Sequence, residues 1–344
     1  MSEIKVNNIQ GLEGTHGPVV SGITTMSSSG AMSLPRGDTA YRGGRGRGLF
    51  GGGFIGPSGP ILNTISYITI TSAGNARDFG DTTVKTHDMQ GWGSSTRGFF
   101  AGGLEPGYRK NIDYVTISAT GNAFDFGDLT NLNFQAAALS NEVRGLYGGG
   151  VHPDTRLTHI DLIINASLGS ISKFGDLTDR RFALTAFSSP TRGLFAGGDS
   201  QDPARVNNIE YVTISTEGNT IDFGDLLAIS RNKMAAASPT RGLIAGGTET
   251  SADTGVNVIE YVTMASLGDS IDFGDLTDNR RRGSGVSNSI RGVFAGGYGA
   301  PGHVNTIDFV IISTLGDATD FGDLPQSSVY RLGTGSSDSH GGIG

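Results

Sequence analysis

Apolar and polar positions alternate along this chain in short bursts. Residues 241–276 show the pattern: RGLIAGG, a polar loop, then NVIEYVTMASLGDSIDFGDL. Within it Ile259, Tyr261 and Thr263 alternate with Val262 and Met264. A strand with this composition is apolar or aromatic on both sides and must be covered on both. Arg241–Gly247 is a shorter β-like run ending in Gly-Gly, Ser-Leu-Gly-Asp is a tight turn with Gly where positive φ is unstrained, and Ser270–Leu276 is a last short strand. A small-residue segment such as Met234–Ser238 (MAAAS) separates this unit from its neighbour. Each unit predicts four short strands, and no stretch has the 3.6-residue period of a helix.

The unit recurs. Arg-Gly followed by an apolar residue stands at Arg47, Arg97, Arg144, Arg192, Arg241 and Arg291, with spacings of 50, 47, 48, 49 and 50. Phe-Gly-Asp begins at Phe79, Phe126, Phe174, Phe223, Phe273 and Phe321, with spacings of 47, 48, 49, 50 and 48. Two markers in phase, six copies each, define a repeat architecture. Four-stranded sheets stacked face to face around an axis cover both faces of every strand, so the expected fold is all-β: a six-bladed β-propeller of four-stranded blades. The segments QAAALS, KMAAAS and GSGVSN, beginning at Gln135, Lys233 and Gly283, are read as innermost strands, where bulky side chains are not expected to fit; flexible linkers are the alternative. Tyr330–Ser337 (YRLGTGSS) aligns with these segments, and the first unit lacks its own. The C-terminal segment is therefore predicted to supply the inner strand of blade 1, which removes a free sheet edge.

The propeller is expected to span residues 36–344. Residues 1–35 contain no Phe, Trp or Tyr and cannot build a core alone. Their strand-like pieces, Ile4–Ile9 and Val19–Met26, are read as an extended docking arm that orders on a partner, or as a tail or β flap on the propeller's own surface.

Composition narrows the chemistry. The 56 glycines lack a Gly-X-Y period and there are only 11 prolines, so collagen is excluded. The net charge of −8 supplies no basic face for duplex DNA, and no nucleic-acid partner is expected. Without Cys there are no disulfides, thiolate metal sites or Cys nucleophiles. No apolar stretch is long enough to insert in a membrane as a helix, and the N-terminus does not read as a signal peptide.

The recurrent aspartates at 81, 128, 176, 225, 275 and 323 have a second Asp three residues earlier at 78, 125, 222, 272 and 320, with Lys173 breaking the series. Two carboxylates fall short of a calcium loop. These aspartates are expected to hydrogen-bond backbone amides where one blade passes to the next. The six repeated arginines are expected to brace the blades, either generally or by pairing with these aspartates. The histidines at 16, 87, 152, 159, 303 and 340 lack zinc-ligand spacing. There is no G-x-S-x-G elbow and no phosphate-binding glycine loop. Two carboxylates from different blades converging at ~5–9 Å would suit sugar hydrolysis, but nothing singles out a pair. No cofactor, metal or catalytic residue is predicted, and the chain is not expected to be an enzyme.

The strands repeat while the loops after Gly-Gly differ in every copy: Phe54–Leu62, Leu104–Lys110, Val151–Thr158, Asp199–Asn207, Thr248–Asn257 and Tyr298–Asn305. All six are expected at one end of the propeller, and binding residues concentrate on such loops. Tyr108, Arg109, His152, Arg156, Arg205, Tyr298 and His303 are the candidates for contact with a sugar or protein.

The order R-G-L-F-A-G-G, N-x-I-[DE]-Y-V-T-I, D-F-G-D-L resembles the kelch repeat, with Phe in place of the usual Trp of the last strand. It is more similar still to kelch-like virion proteins of tailed phages infecting marine bacteria, cyanobacteria especially. The likeness lies in the repeat NxIDYVTISxxGNAxDFGDL and the opening KVNNIQ…GTHGPVVSGITT…GAMSLP. The resemblance implies a virion location as a tail-fibre or tail-associated protein in multiple copies. It further implies docking to other virion proteins through residues 1–35 and loops presented to a host surface glycan or protein. A head or tail decoration that only stabilises the particle, and a propeller glycan hydrolase, are the alternatives. No catalytic residue carries over; the copper site of kelch-bladed galactose oxidase needs a Cys–Tyr crosslink that a chain without Cys does not form.

Overall fold

The structure is a computed structural model. It describes residues 19–20, 24–26, 32–33 and 46–343, apart from 56–58, 106, 154, 201–204, 250–253, 300–301, 326–328 and 331–334. The chain divides into two compact units, Met1–Arg45 and Gly46–Gly344. The first holds a three-stranded antiparallel sheet of Val19–Val20, Thr24–Met26 and Met32–Ser33, so the Val19–Met26 piece is a hairpin and not one strand. Ile4–Ile9 lies outside the described residues.

The second unit is a six-bladed β-propeller with four-stranded antiparallel blades, and it has no helix among the described residues. From the axis outward, blade 2 is Gln90–Gly93, Arg97–Ala101, Arg109–Thr116 and Phe124–Asn133. Blades 3 to 6 repeat this order over residues 137–176, 185–225, 234–281 and 284–323. Blade 5 gains a fifth strand, because Tyr298–Gly299 pairs with the extended end of Ile271–Arg281.

Blade 1 joins the two ends of the unit. Its second, third and outer strands are Arg47–Gly51, Thr64–Thr69 and Arg77–Asp81, and its inner strand is Ser336–Ser337, opposite Leu49 and Gly48. The closing segment is shorter there than predicted: Val329–Tyr330 pairs instead with Phe54–Ile55, in the first variable loop. Closure also rebuilds a turn across the chain break. In blade 3 the Asn141 side chain after the inner strand accepts the Arg144 amide at 2.8 Å, and in blade 6 Asn288 does the same for Arg291 at 2.7 Å. In blade 1 Asp338, from the other end of the chain, accepts the Gly46 and Arg47 amides at 2.7 and 3.1 Å.

The core is a set of wedges between blades. Six apolar clusters occupy the six contacts, and the one between blades 6 and 1, with Phe50, Ile68, Val293, Ile307 and Phe321, is built like the others. The inner strands are fully buried, and three are the small-residue segments. Two inner strands correct the expectation about bulk: they carry Trp92 and Phe187, both buried. These side chains lie against the second strand of the following blade, where the glycine of Arg-Gly makes room. A Cβ on Gly145 would sit 2.4 Å from the Trp92 ring, and one on Gly242 would sit 2.0 Å from the Phe187 ring.

The repeated arginines brace blades, but not through aspartate. None pairs with a Phe-Gly-Asp carboxylate among the described residues. Each guanidinium donates instead to a carbonyl at the end of the third strand of the next blade, at 2.8–3.1 Å: Arg47 to Ile117, Arg97 to Asn165, Arg144 to Ile214, Arg192 to Met264, Arg241 to Ile312 and Arg291 to Ile70. Five of the six also stack on an aromatic ring of their own third strand at 4.7–5.0 Å, Tyr67, Tyr114, Tyr211, Tyr261 or Phe309. A planar cation does both at once, which explains arginine where lysine would serve as a mere charge.

The Phe-Gly-Asp expectation is reversed in polarity. It is the backbone amide of the Asp that is held, by the side chain of Asn75, Asn122, Asn219, Asp269 or Asp317 in the turn of the next blade, at 2.9–3.1 Å. The glycine lets the turn approach: at Gly274, φ is 146° and a Cβ would lie 2.5 Å from the backbone of Gly316.

Substituting Gly242→Ala should lower Tm by roughly 3–10 °C through overpacking against Phe187. In a Phe187→Ala background the same change should cost at least ~1 kcal/mol less. Thermal or urea unfolding of the four proteins measures this, and additive effects would contradict the contact.

Candidate functional site

Antiparallel strand order puts the variable loops and the connections between blades at one end of the propeller, and the turns at the other. At the loop end each described connection holds one non-glycine residue with φ of 53–58°: Asp88, Gln135, Ala183, Asn232 and Arg282. The amides of Ala183, Asn232 and Arg282 donate to the carbonyls of Gln135, Ala183 and Asn232 at 2.7, 2.8 and 3.0 Å, so backbone bonds run from blade to blade around the mouth of the axis. The residue just before each of these faces the first residue of a variable loop: His87 with Leu104, Phe134 with Val151, Phe182 with Asp199, Arg231 with Thr248 and Arg281 with Tyr298.

Where this slot holds phenylalanine, in two consecutive connections, a groove forms. It is a surface cavity of about 590 Å³ lined by Tyr108, Phe134, Val151, Pro153, Thr155, Arg156 and Phe182. Tyr108, from the blade 2 loop, meets Phe134 edge to face at 5.2 Å. One blade further on, Arg156 stacks over Phe182 at 4.9 Å and donates through Nη1 to the Ser200 carbonyl. The intervening wall is a short hairpin, Val151–His152 with Thr155–Arg156. All three aromatic rings are half-buried, and among the described residues Arg156 is the only charged one of the lining.

Of the seven residues expected on this face, the groove brings Tyr108 and Arg156 together. His152 belongs to the hairpin but is not part of the lining. Arg109 folds back to donate Nε to the Glu105 carbonyl at 2.9 Å. Arg205 lies 3.9 Å from Asp199, which also pairs with Arg231. The Tyr298 and His303 rings meet at a tilt with centroids 5.0 Å apart in blade 6, with Arg281 over the Tyr298 ring. Phe134 and Phe182 escape a reading of the loops alone, because they sit in the connections. Aligning the six copies at that slot, where His, Phe, Phe, Arg and Arg stand, would have drawn attention to them.

The turn end is different. Past Asp338 the chain crosses the axis. His340 Nε2 donates to the Gly93 carbonyl at 2.9 Å, and its Nδ1 accepts the Gly342 amide at 3.0 Å, an arrangement that requires the neutral ring. Burial lowers its pKa, which favours that form. Gly341 packs on the Ser188 and Ser238 carbonyls, so the axis is covered at this end. Around it Phe124, Val143, Leu168, Ile221, Leu267, Ile271, Ile290 and Leu315 are each 54–64% exposed. Contiguous exposed apolar side chains mark contact surfaces on soluble proteins.

The buried charges are structural. Each third strand from blade 2 onward carries one buried carboxylate that accepts hydrogen bonds from the preceding blade's connection: Asp113 from Thr83, Asp161 from Thr130, Glu210 from Thr178, Glu260 from the Leu227 amide and Asp308 from Thr277. Glu210 and Asp308 are also paired with the fully buried Arg181 and Arg280, and Glu260 with Lys233 at 2.8 Å. Among the described residues Asp113 is paired with no cation, only with Thr83 and Asn111, and burial raises its pKa above 3.8 against the pull of these hydrogen bonds.

Comparison with models of known protein families and with curated proteins finds no match to this chain.

The folded state holds the Asp113 proton to higher pH than the unfolded chain does. Its contribution to stability therefore falls as pH rises from 3.8 through the raised folded value. Asp113→Asn keeps an acceptor for the Thr83 amide and removes the titration. Urea unfolding at a series of pH values should show the variant gaining on the parent protein as pH rises through that window. A difference that stays constant, or one that runs the other way, would contradict the assignment.

Proposed function

We propose that this chain is a structural protein of a tailed-phage virion, tail fibre or tail-associated, that docks through residues 1–35 and presents the loop end of its propeller to a host surface glycan or protein. The observation that carries this reading is the division of labour within the chain. Arginine brace, glycine contact and buried carboxylate recur from blade to blade, while the loops on that scaffold differ in every copy. A rigid ring with divergent loops suits recognition. The resemblance of the repeat and of the opening segment to kelch-like phage proteins supplies the virion context.

The exposed aliphatic side chains of the turn end favour a second reading, a decoration protein that packs that face on the particle. Hydrolysis of a glycan needs two carboxylates flanking the scissile bond, and the described residues of the groove lining include none. This favours binding over turnover at that position.

Deleting residues 1–35 should leave a propeller with unchanged thermal unfolding that no longer joins assembling particles, scored by labelling purified virions. Incorporation of the truncated protein would overturn the docking assignment. Binding of the full chain to host cells without release of sugar supports recognition, and particle assembly without any cell binding supports decoration.

A further inference from the structure

We propose that the groove formed by the blade 2 and blade 3 loops is a subsite for an acidic polysaccharide, a sugar chain bearing carboxylates, with Arg156 as the residue that selects for the charge. The proposal rests on the host-surface reading above and names the ligand class for one site on that face.

The groove offers two kinds of surface in a fixed order. Tyr108 with Phe134 forms an aromatic platform, and one blade step away Arg156 stands on the Phe182 ring. The apolar face of a pyranose ring packs on such a platform, and the step to the guanidinium suits a sugar chain with its charge on a neighbouring residue better than one small ligand. The volume of about 590 Å³ lies within the usual range for bound small molecules or short oligomers.

Charge separates an acidic chain from a neutral one. In a protein with net charge −8, the described residues of this lining hold one positive group and no carboxylate. The guanidinium of Arg156 is oriented from below by the Phe182 ring and from one side by the Ser200 carbonyl. A guanidinium has five donors in a planar fork, and this one makes no other hydrogen bond among the described residues. A fork held flat, with donors to spare, matches a carboxylate in two-point contact. A lysine there would offer the charge without the geometry.

A peptide fits the groove less well. Its wall is the hairpin in which Val151 and His152 pair with Arg156 and Thr155, and Val151 exchanges backbone bonds with Phe134. The Val151 edge of the wall is therefore closed to an added peptide strand.

The test uses the full-length protein and a panel of defined uronate oligosaccharides (galacturonate, glucuronate, mannuronate and guluronate), each beside its carboxyl-reduced neutral counterpart, with binding measured by calorimetry. At least one uronate series should bind at least tenfold more tightly than its neutral form. Arg156→Gln should remove that preference and leave weak binding of both. Tyr108→Ala should weaken both, and Tyr298→Ala, in blade 6, should change neither. Thermal unfolding of each variant confirms that it is folded. If Arg156→Gln or Tyr108→Ala is unfolded, Arg156→Lys and Tyr108→Leu replace them, with loss of acid preference and weakened binding expected in turn. Equal affinity for acid and neutral forms, no binding to any series, or acid preference that survives Arg156→Gln overturns the proposal. Binding of the protein to host cells measured in parallel keeps the two readings apart. Cell binding that persists without uronate affinity leaves the host-surface reading standing and removes this one. Absence of both removes both.

Discussion

Each blade of this propeller is a thin sheet with two apolar faces, and neither face is satisfied until a neighbour lies on it. Blade-to-blade contact is therefore the constraint on which the rest depends. The chain meets it with backbone as well as side chains. The amide of a turn glycine donates to the carbonyl of the preceding blade's Phe-Gly-Asp phenylalanine at every contact, including Gly74 to Phe321 at 2.7 Å, where blade 1 meets blade 6. The approach needed for that bond requires glycine on one side, and the arginine fork ties the same pair of blades again. Hydroxyls add a further link near the axis: Ser140 donates to Gly93, Ser188 to Ser140, Ser287 to Ala237 and Ser337 to Ser287. A ring built this way has no terminal blade and hence no bare face.

The architecture was legible because it is periodic. Six copies of two markers gave blade number and strand order, and the match of the C-terminal segment to the inner strands gave the closure. What was not legible is pairing. The arginines and the Phe-Gly-Asp aspartates are equal in number and in phase, which suggested that they meet. The structure joins each arginine to a carbonyl, a partner with no identity in the sequence. Likewise Trp92 and Phe187 break the small-residue pattern of the inner strands, and only the glycines one blade on, Gly145 and Gly242, explain how they fit. The candidate site was half visible. Tyr108 and Arg156 stood out as aromatic and basic loop residues, whereas Phe134 and Phe182 lie in the connections between blades, and only the fold places them beneath the loops.

The two ends of the ring are chemically unlike. At the turn end the chain's own tail lies across the axis, and aliphatic side chains stand in solvent around it. At the loop end aromatic rings pair with guanidinium groups, Arg156 over Phe182 and Arg281 over Tyr298. The separation of turns from loops arises from strand count, since an even number of antiparallel strands returns every connection to the same end.

Native-state hydrogen exchange tests the closed ring most directly. The Gly74 and Ala76 amides bond across the seam to Phe321 and Asp323, as Gly268 and Ser270 bond to Phe223 and Asp225 inside the ring. If the seam is a contact like the other five, all four amides exchange with similar protection, close to that of global unfolding. Gly74 and Ala76 exchanging orders of magnitude faster than Gly268 and Ser270 would mean that blades 6 and 1 part in solution, which would contradict the closed ring.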